Sequence, residues 1–361
     1  MTDQGPPPRL RVDEFDYALP ADAIAQTPAE PRDASRLLVL DRGRSSAGAP
    51  ALSHAAFGEL GDWLRPGDLL VVNDSRVMPA RLRARRAGGG AAELLVLRPL
   101  DDAAGRWEAL VRPSRKVRVG ELVEVGDGGK VEVGERLEGG TRAIRFARDP
   151  HEVMAAAGEM PLPPYIHDRS AAAERYQTVY ARPPGSAAAP TAGLHFTPEL
   201  LERLAADGIR RASVTLHVGL DTFRPLESDF IDEHHIHREW FEVPAATRKA
   251  VAATRESGGR VVAVGTTAVR VLETAARGGA ASGWTDLYLT PPHRFRQVDE
   301  LITNFHLPRS SLLLLVTAFV QAGMGASTSP YEARDTLLAA YREALESGYR
   351  FFSFGDAMLI A

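Results

Sequence analysis

The stretch "RVVAVGTTAVRVLETAARGG", Arg260 to Gly279, decides the fold. Val261 to Val264 read as an apolar strand, Gly265 permits a close backbone turn, and Thr266 or Thr267 can cap the helix that follows. Strand then helix is the repeating unit of an α/β layer, and the pattern continues on both sides. Upstream, a helix from about Ala245 to Glu256 ends at Gly258–Gly259. Thr197 and Pro198 open another, since proline has no N–H to lose at the first helical position. It runs to Ala206, stops at Gly208 and leads into the strand "ASVTLHV", Ala212–Val218. Downstream, Ser329-Pro330-Tyr331-Glu332 forms a capping box, Ala333, Leu337, Tyr341 and Leu345 make the apolar stripe, and Gly348 closes the last helix. The apolar run Leu312–Val320 is too short to span a bilayer and reads as a buried strand or helix.

The first part of the chain has a different texture. "GDLLVVNDSRVMPARL", Gly67 to Leu82, carries an apolar strand from Leu69 to Val72 that ends on polar Asn73, Asp74 and Ser75. From about Ala80 to Ala147 short alternating runs follow ("ELLVLRP", "WEALVRP", "ELVEVG", "KVEVG", "RAIRFA"), split by Gly, Asp and Pro. That is the pattern of a small antiparallel sheet or barrel, and no strong helical period interrupts it.

With 361 residues, 44% hydrophobic and 25% charged, the chain has the composition of an ordinary soluble globular protein large enough for more than one packing unit. Zero cysteines exclude disulfides, thiolate metal sites and cysteine nucleophiles. The start "MTDQGPPPRLRVDEF" shows no apolar signal region, so a cytoplasmic protein without membrane partners is expected. The net charge of −4 argues against a generic nucleic-acid binder. Yet from Arg76 to Gly120 there are eleven Arg or Lys against four Asp or Glu, a local surplus of seven. A basic patch on a mildly acidic protein is how a phosphate backbone would be met.

Five polar loops lie where strands or helices end, the place where α/β proteins hold ligands. "AAPTAGLHFTPELL", Ala188–Leu201, delivers Thr191, Gly193 and His195 to a helix N-terminus. His217 leaves the strand "SVTLHV", and His306 is pinned in "NFHLP". Three histidines in stiff apolar loops suggest a shared pocket, where an imidazole titrating near neutral pH can move a proton. The helix after Gly265 would present free N–H groups to a carboxylate or phosphate. "DEHHIHREW", Asp232–Trp240, has His235 and His237 at strand spacing, but no HExxH helix and no further ligand of obvious spacing. We therefore expect no metal, and read His234, His237 and Glu239 as substrate hydrogen-bonding groups.

Taken together, "FDYALPADAIAQTPAEPRDASRLLVLDR" (from Phe15), "GDLLVVNDSRVMPARL", "RYQTVYA", "APTAGLHFT", "HVGLDTFRPL", "VGTTAVRVLE", "LITNFHLPRSSLLLLVTAF" and "FSFGDAMLI" resemble the S-adenosylmethionine:tRNA ribosyltransferase-isomerases of queuosine biosynthesis. The motifs occur in order from Phe15 to Ile360. The resemblance implies a mixed α/β fold: a larger domain built from residues 1–79 and 151–361, with an inserted antiparallel β-barrel domain over 80–150. It implies transfer of the ribosyl part of S-adenosylmethionine to 7-aminomethyl-7-deazaguanine at the tRNA wobble position. The ribosyl ring is rearranged to give epoxyqueuosine, and adenine and methionine leave. S-adenosylmethionine is then a co-substrate, and no other cofactor is expected. A monomer is expected.

Three proton movements serve this chemistry, and imidazoles and carboxylates suit them. His195, His217 and His306 are placed in the proton-handling shell, with Asp74 and Asp356 as partners. Thr266, Thr267 and Arg270 are candidates for the methionine carboxylate or ribose, Asn304 for an amide or base edge, and Arg76, Thr191 and Gly193 complete the substrate set. Arg81, Arg83, Arg85, Arg112, Arg115 and Lys116 would position the anticodon stem through phosphates, leaving specificity to a splayed-out loop base. Two departures from the family pattern touch the expected pocket walls: Asp221 stands where relatives commonly have glycine, and "LYLTPPHRFRQ" (from Leu287) lacks their Tyr-Pro-Gly turn. Three rivals remain: an S-adenosylmethionine-dependent RNA methyltransferase, for which "AVGTTAV" is a poor glycine-rich turn, a non-catalytic RNA-binding protein, and a family member that has drifted to another acceptor, to which Asp221 points.

Overall fold

A computed structural model describes residues 9–100, 105–137, 140–168, 173–219 and 226–361; Asp221 lies outside them. The apolar runs become the middle of a nine-stranded mixed sheet. Its order is Ser282–Thr285, Glu239–Glu242, Arg210–Leu216, Leu69–Asn73, Val261–Val264, Glu300–Asn304, Ala357–Ile360, Arg36–Ser46 and Ala49–Ala56. Arg210–Leu216, Leu69–Asn73, Val261–Val264 and Glu300–Asn304 are mutually parallel. Consecutive residues face opposite sides of the pleat. Leu69, Val71, Val261, Ala263 and Leu301 therefore enter one core, and Leu70, Val72, Val262, Val264 and Ile302 the other.

Helices cover both faces. Ala245–Glu256, Thr266–Gly278, Ser311–Met324 and Pro330–Glu346 contribute Val251, Val269, Phe319 and Leu337 to the first core, while Pro198–Ala206 contributes Leu200 and Leu204 to the second. Their ends follow the sequence signals. Thr197 accepts a hydrogen bond from Leu200 N, Ser329 closes its capping box with Glu332, and Gly208 and Gly348 turn at φ +78° and +72°. Leu312–Val320 is helical and wholly core-facing over Leu313–Val320, which is why its pattern alone left strand or helix open.

The β-rich segment closes. Arg81–Arg86, Ala91–Pro99, Arg106–Arg112, Arg142–Phe146, Gly129–Arg136 and Glu121–Val125 pair in that order, and the last returns to the first through Ala84 opposite Val125. Leu82, Leu94, Val96, Val111, Val123 and Val131 fill the interior. A short helix, Pro150–Ala157, follows and adds Val153 and Met154 to the same core. Asp149 caps it, accepting from His151 N at 2.7 Å. Among the described residues no helix is long and apolar enough to cross a membrane.

Candidate active site

Four parallel strands end side by side, so the loops after Asn73, Leu216, Val264 and Asn304 share one edge of the sheet. Ligands in open α/β sheets bind in the crevice outside such carboxyl ends. Two cavities open there. The larger, about 900 Å³, lies between the sheet edge and the barrel; Leu97, Arg98 and Trp107 line one side, and His217, Glu239, Trp240 and Arg270 the other. The smaller, about 50 Å³, is lined by Thr191, Thr266, Thr267, Asn304 and His306. Leu312 borders both.

Around the small cavity three loops distant in sequence are tied together. Asn304 Oδ1 accepts from Thr191 Oγ1 at 3.0 Å, while its Nδ2 donates to His195 Nε2 at 3.1 Å and to Phe352 O at 3.2 Å. With Nε2 accepting, the His195 proton sits on Nδ1 and is donated to Ser35 Oγ at 2.7 Å. His195 stacks against Phe57, 5.0 Å between ring centres, and lines neither cavity. His306 does line the small one, with Nε2 2.7 Å from Thr303 Oγ1, and its backbone N–H donates to Tyr341 Oη at 3.1 Å.

The helix N-terminus is present, with a different cap from the one expected. Gly265, at φ +88°, is the N-cap, and no side chain caps the helix. Only glycine holds that conformation without strain. Thr266 and Thr267 occupy the first turn instead, and Thr267 Oγ1 is buried with no hydrogen-bond partner among the described residues.

In the large cavity, His217 Nδ1 lies 2.8 Å from Ser75 Oγ, which contacts Ser186 Oγ at 2.7 Å, and the imidazole stacks on Trp240 at 5.1 Å and 19°. A Cβ on Gly185 would fall 2.4 Å from this ring, so the glycine is what lets the strand approach it. Glu239 and Arg270 form a buried ion pair. Glu239 Oε1 also accepts from Gly219 N at 2.7 Å, and Arg270 Nε donates to Leu287 O at 3.2 Å. Arg270 Nη2 has no hydrogen-bond partner among the described residues. His234 and His237 line this cavity as well.

Burial decides the protonation states. Loss of solvation pushes the His195 imidazole down to about 3, with Arg350 and Arg32 adding to the effect. It also pushes His306 to about 3 and His217 to about 4. None titrates near neutrality as the sequence suggested; all three are neutral at physiological pH.

Other candidates stand apart from both cavities. Asp356 uses one carboxylate oxygen on Arg36 N (2.9 Å) and the other on Arg350 N (2.8 Å), holding backbone in place. Asp74 accepts from Thr215 Oγ1 at 2.8 Å, and burial pushes its carboxyl upward. Arg76 pairs with Glu174 at 2.9 Å. Gly193 is a packing requirement, because a Cβ there would overlap Tyr180 Oη. Among the described residues no group of three or more His, Asp or Glu could hold a metal ion. Sequence reasoning gave no site role to Ser35, Ser75 and Trp240, whose only signal was membership of the quoted stretches.

On the barrel, Arg83 pairs with Glu159, and Arg81 lies 3.9 Å from Glu93. Arg85, Arg112, Arg115 and Lys116 are exposed and, among the described residues, form no ion pair with an acid. Buried Arg142 donates to Gly134 O at 2.9 Å and to Val117 O at 3.2 Å, which shapes the loop carrying Arg115 and Lys116.

Comparison with known proteins gives a consistent set. The family described as queuosine biosynthesis protein matches residues 12–360. A relative from Heliobacterium modesticaldum, named S-adenosylmethionine:tRNA ribosyltransferase-isomerase, is 51% identical over 97% of this chain and 100% of its own length. One of the same name from Thermotoga maritima is 49% identical over the same shares. The crystal structure of S-adenosylmethionine tRNA ribosyltransferase from Thermotoga maritima aligns with a TM-score of 0.54 and 41% identity, covering 96% of this chain and 100% of that one.

Proposed function

The chain belongs to the queuosine biosynthesis protein family, and on that premise we propose how its cavities divide the work of an S-adenosylmethionine:tRNA ribosyltransferase-isomerase. The reaction moves the ribosyl moiety of S-adenosylmethionine onto 7-aminomethyl-7-deazaguanine at the tRNA wobble position and isomerises it to epoxyqueuosine, releasing adenine and methionine. Two of the rivals, an S-adenosylmethionine-dependent RNA methyltransferase and a non-catalytic RNA-binding protein, do not match the name that the full-length relatives carry.

The observation that carries the site assignment is the meeting of His306, Thr191, Thr267 and Asn304 around a cavity that adjoins the larger cleft at Leu312. A cavity of about 50 Å³ admits a carboxylate or a hydroxyl pair and nothing the size of a nucleoside. The first turn of the helix and Thr267 Oγ1 hold the methionine carboxylate or a ribose edge there. Purine rings and the wobble base occupy the large cleft, whose volume lies within the usual range for ligand sites. His306 and His217, both neutral, present lone pairs that accept protons, and Arg270 offers its uncommitted Nη2 to the substrate. His195 and Ser35 act one step back, by fixing the Asn304 amide. His234 and His237 contact substrate at the cleft wall. Arg85, Arg112, Arg115 and Lys116, with Arg81 and Arg83 beside them, hold anticodon-stem phosphates. We assign no resident cofactor and take the enzyme to be a cytoplasmic monomer.

The test is turnover of His306→Asn with substrate tRNA and S-adenosylmethionine. Loss of roughly a hundredfold or more with retained S-adenosylmethionine binding supports the assignment. Near wild-type turnover in both His306→Ala and His195→Ala refutes it.

A further inference from the structure

One row of side chains crosses the floor of the large cleft, and apart from His217 its members have no role in the chemistry above. Trp240 and Trp284 are direct cross-strand partners, so their side chains share a face of the sheet. His217 continues the row on the next strand: its N–H donates to Trp240 O at 3.0 Å, and its ring stacks on Trp240. At the other end Arg98, from the barrel, places its guanidinium 5.3 Å from the centre of the Trp284 ring. All four side chains line the cleft. Most tryptophans bury their large apolar surface, but Trp284 is 39% exposed, on an edge strand at the mouth.

We propose that Trp284, with Arg98 beside it, is a stacking platform for an unpaired nucleobase of the RNA substrate. This rests on the tRNA-modifying function above. Single-stranded RNA loops are read by splaying bases onto aromatic rings and guanidinium planes, and each base has a face that can stack. The placement suits a loop whose backbone is held elsewhere. Arg98 lies five residues along its strand from Glu93, which stands opposite Arg112 and Arg83 on the neighbouring strands. At about 3.3 Å per residue, the basic row and the platform are about 17 Å apart, a reach of a few nucleotides. A purine face could also come from the adenine of S-adenosylmethionine. The exposed position at the mouth, on the barrel side, assigns Trp284 to the RNA.

The test titrates full-length protein with an unmodified RNA anticodon stem-loop and, separately, with S-adenosylmethionine. Trp284→Ala is expected to weaken RNA binding by about fivefold or more, Trp284→Phe to restore most of it, and neither to change S-adenosylmethionine affinity. The slope of log affinity against log salt should stay at the wild-type value in Trp284→Ala, because stacking releases no counterions, whereas Arg115→Ala/Lys116→Ala lowers it. Unchanged RNA affinity in both Trp284→Ala and Arg98→Ala overturns the platform and leaves the pair as a strut between barrel and sheet. Weakened S-adenosylmethionine binding with intact RNA binding overturns it in favour of the adenine. Failure of the wild-type protein to bind the stem-loop refutes the underlying function instead, so the two failures are distinguishable.

Discussion

Replacing Arg270 by Met separates what the buried ion pair does for the fold from what it does for the ligand. Glu239 is 6% exposed, and the substitution removes its cation while Gly219 N still donates to Oε1. Breaking a buried pair by removing one partner costs about 3–5 kcal/mol, because the remaining charge stays desolvated. For a chain of this size, at about 2.1 cal/mol/K of unfolding entropy per residue, that is a fall in Tm of roughly 4–7 °C. Arg270→Met/Glu239→Gln removes both charges, leaves an amide that still accepts from Gly219, and should recover most of the loss. Affinity for S-adenosylmethionine should not recover, since the guanidinium donor assigned to the substrate is gone in both variants. Thermal unfolding and calorimetric titration of wild type, single and double variants read the two effects separately. The reasoning is refuted if the double variant is no more stable than Arg270→Met, or if it binds S-adenosylmethionine as wild type does.

Three further outcomes follow from the same geometry. His195 and His306 have folded pKa values near 3 against 6.5 when unfolded. Protons therefore favour the unfolded chain, and stability falls as pH drops from about 6.5 towards 3, by roughly 2 kcal/mol per group at pH 5. A Tm series from pH 7 to 5 should be less steep for His195→Asn than for wild type, and equal slopes would contradict the assignment. Gly185→Ala puts a methyl against the His217 ring; kcat should drop with the overall fold retained by circular dichroism, and an unchanged kcat would show that His217 can move freely. tRNA affinity should fall steeply with added salt, and a flat dependence would exclude the barrel patch as the phosphate surface.

The fold was legible wherever one local signal sufficed. Thr197–Pro198 and Ser329–Pro330 mark helix starts through backbone chemistry confined to a few residues, and both helices begin there. The Pro150–Ala157 helix was missed although Asp149–Pro150 carries the same kind of signal, because it is short and follows a run of strands. The site was legible as loops and much less as roles. Thr191, His195 and Asn304 meet across more than a hundred residues of sequence, and no spacing rule relates them. Asp356 resembles a catalytic carboxylate in "FSFGDAMLI" until the backbone N–H groups of Arg36 and Arg350 are seen to occupy it. The three histidines read as neutral-pH titrators because sequence does not report desolvation, which sets their protonation here.

The most direct measurement is a product analysis. Purified protein is incubated with S-adenosylmethionine and a tRNA carrying 7-aminomethyl-7-deazaguanine, and small molecules and digested nucleosides are identified by mass spectrometry. Adenine and methionine released in step with epoxyqueuosine formation is the predicted result; S-adenosylhomocysteine with a methylated nucleoside, or no adenine at all, would contradict it.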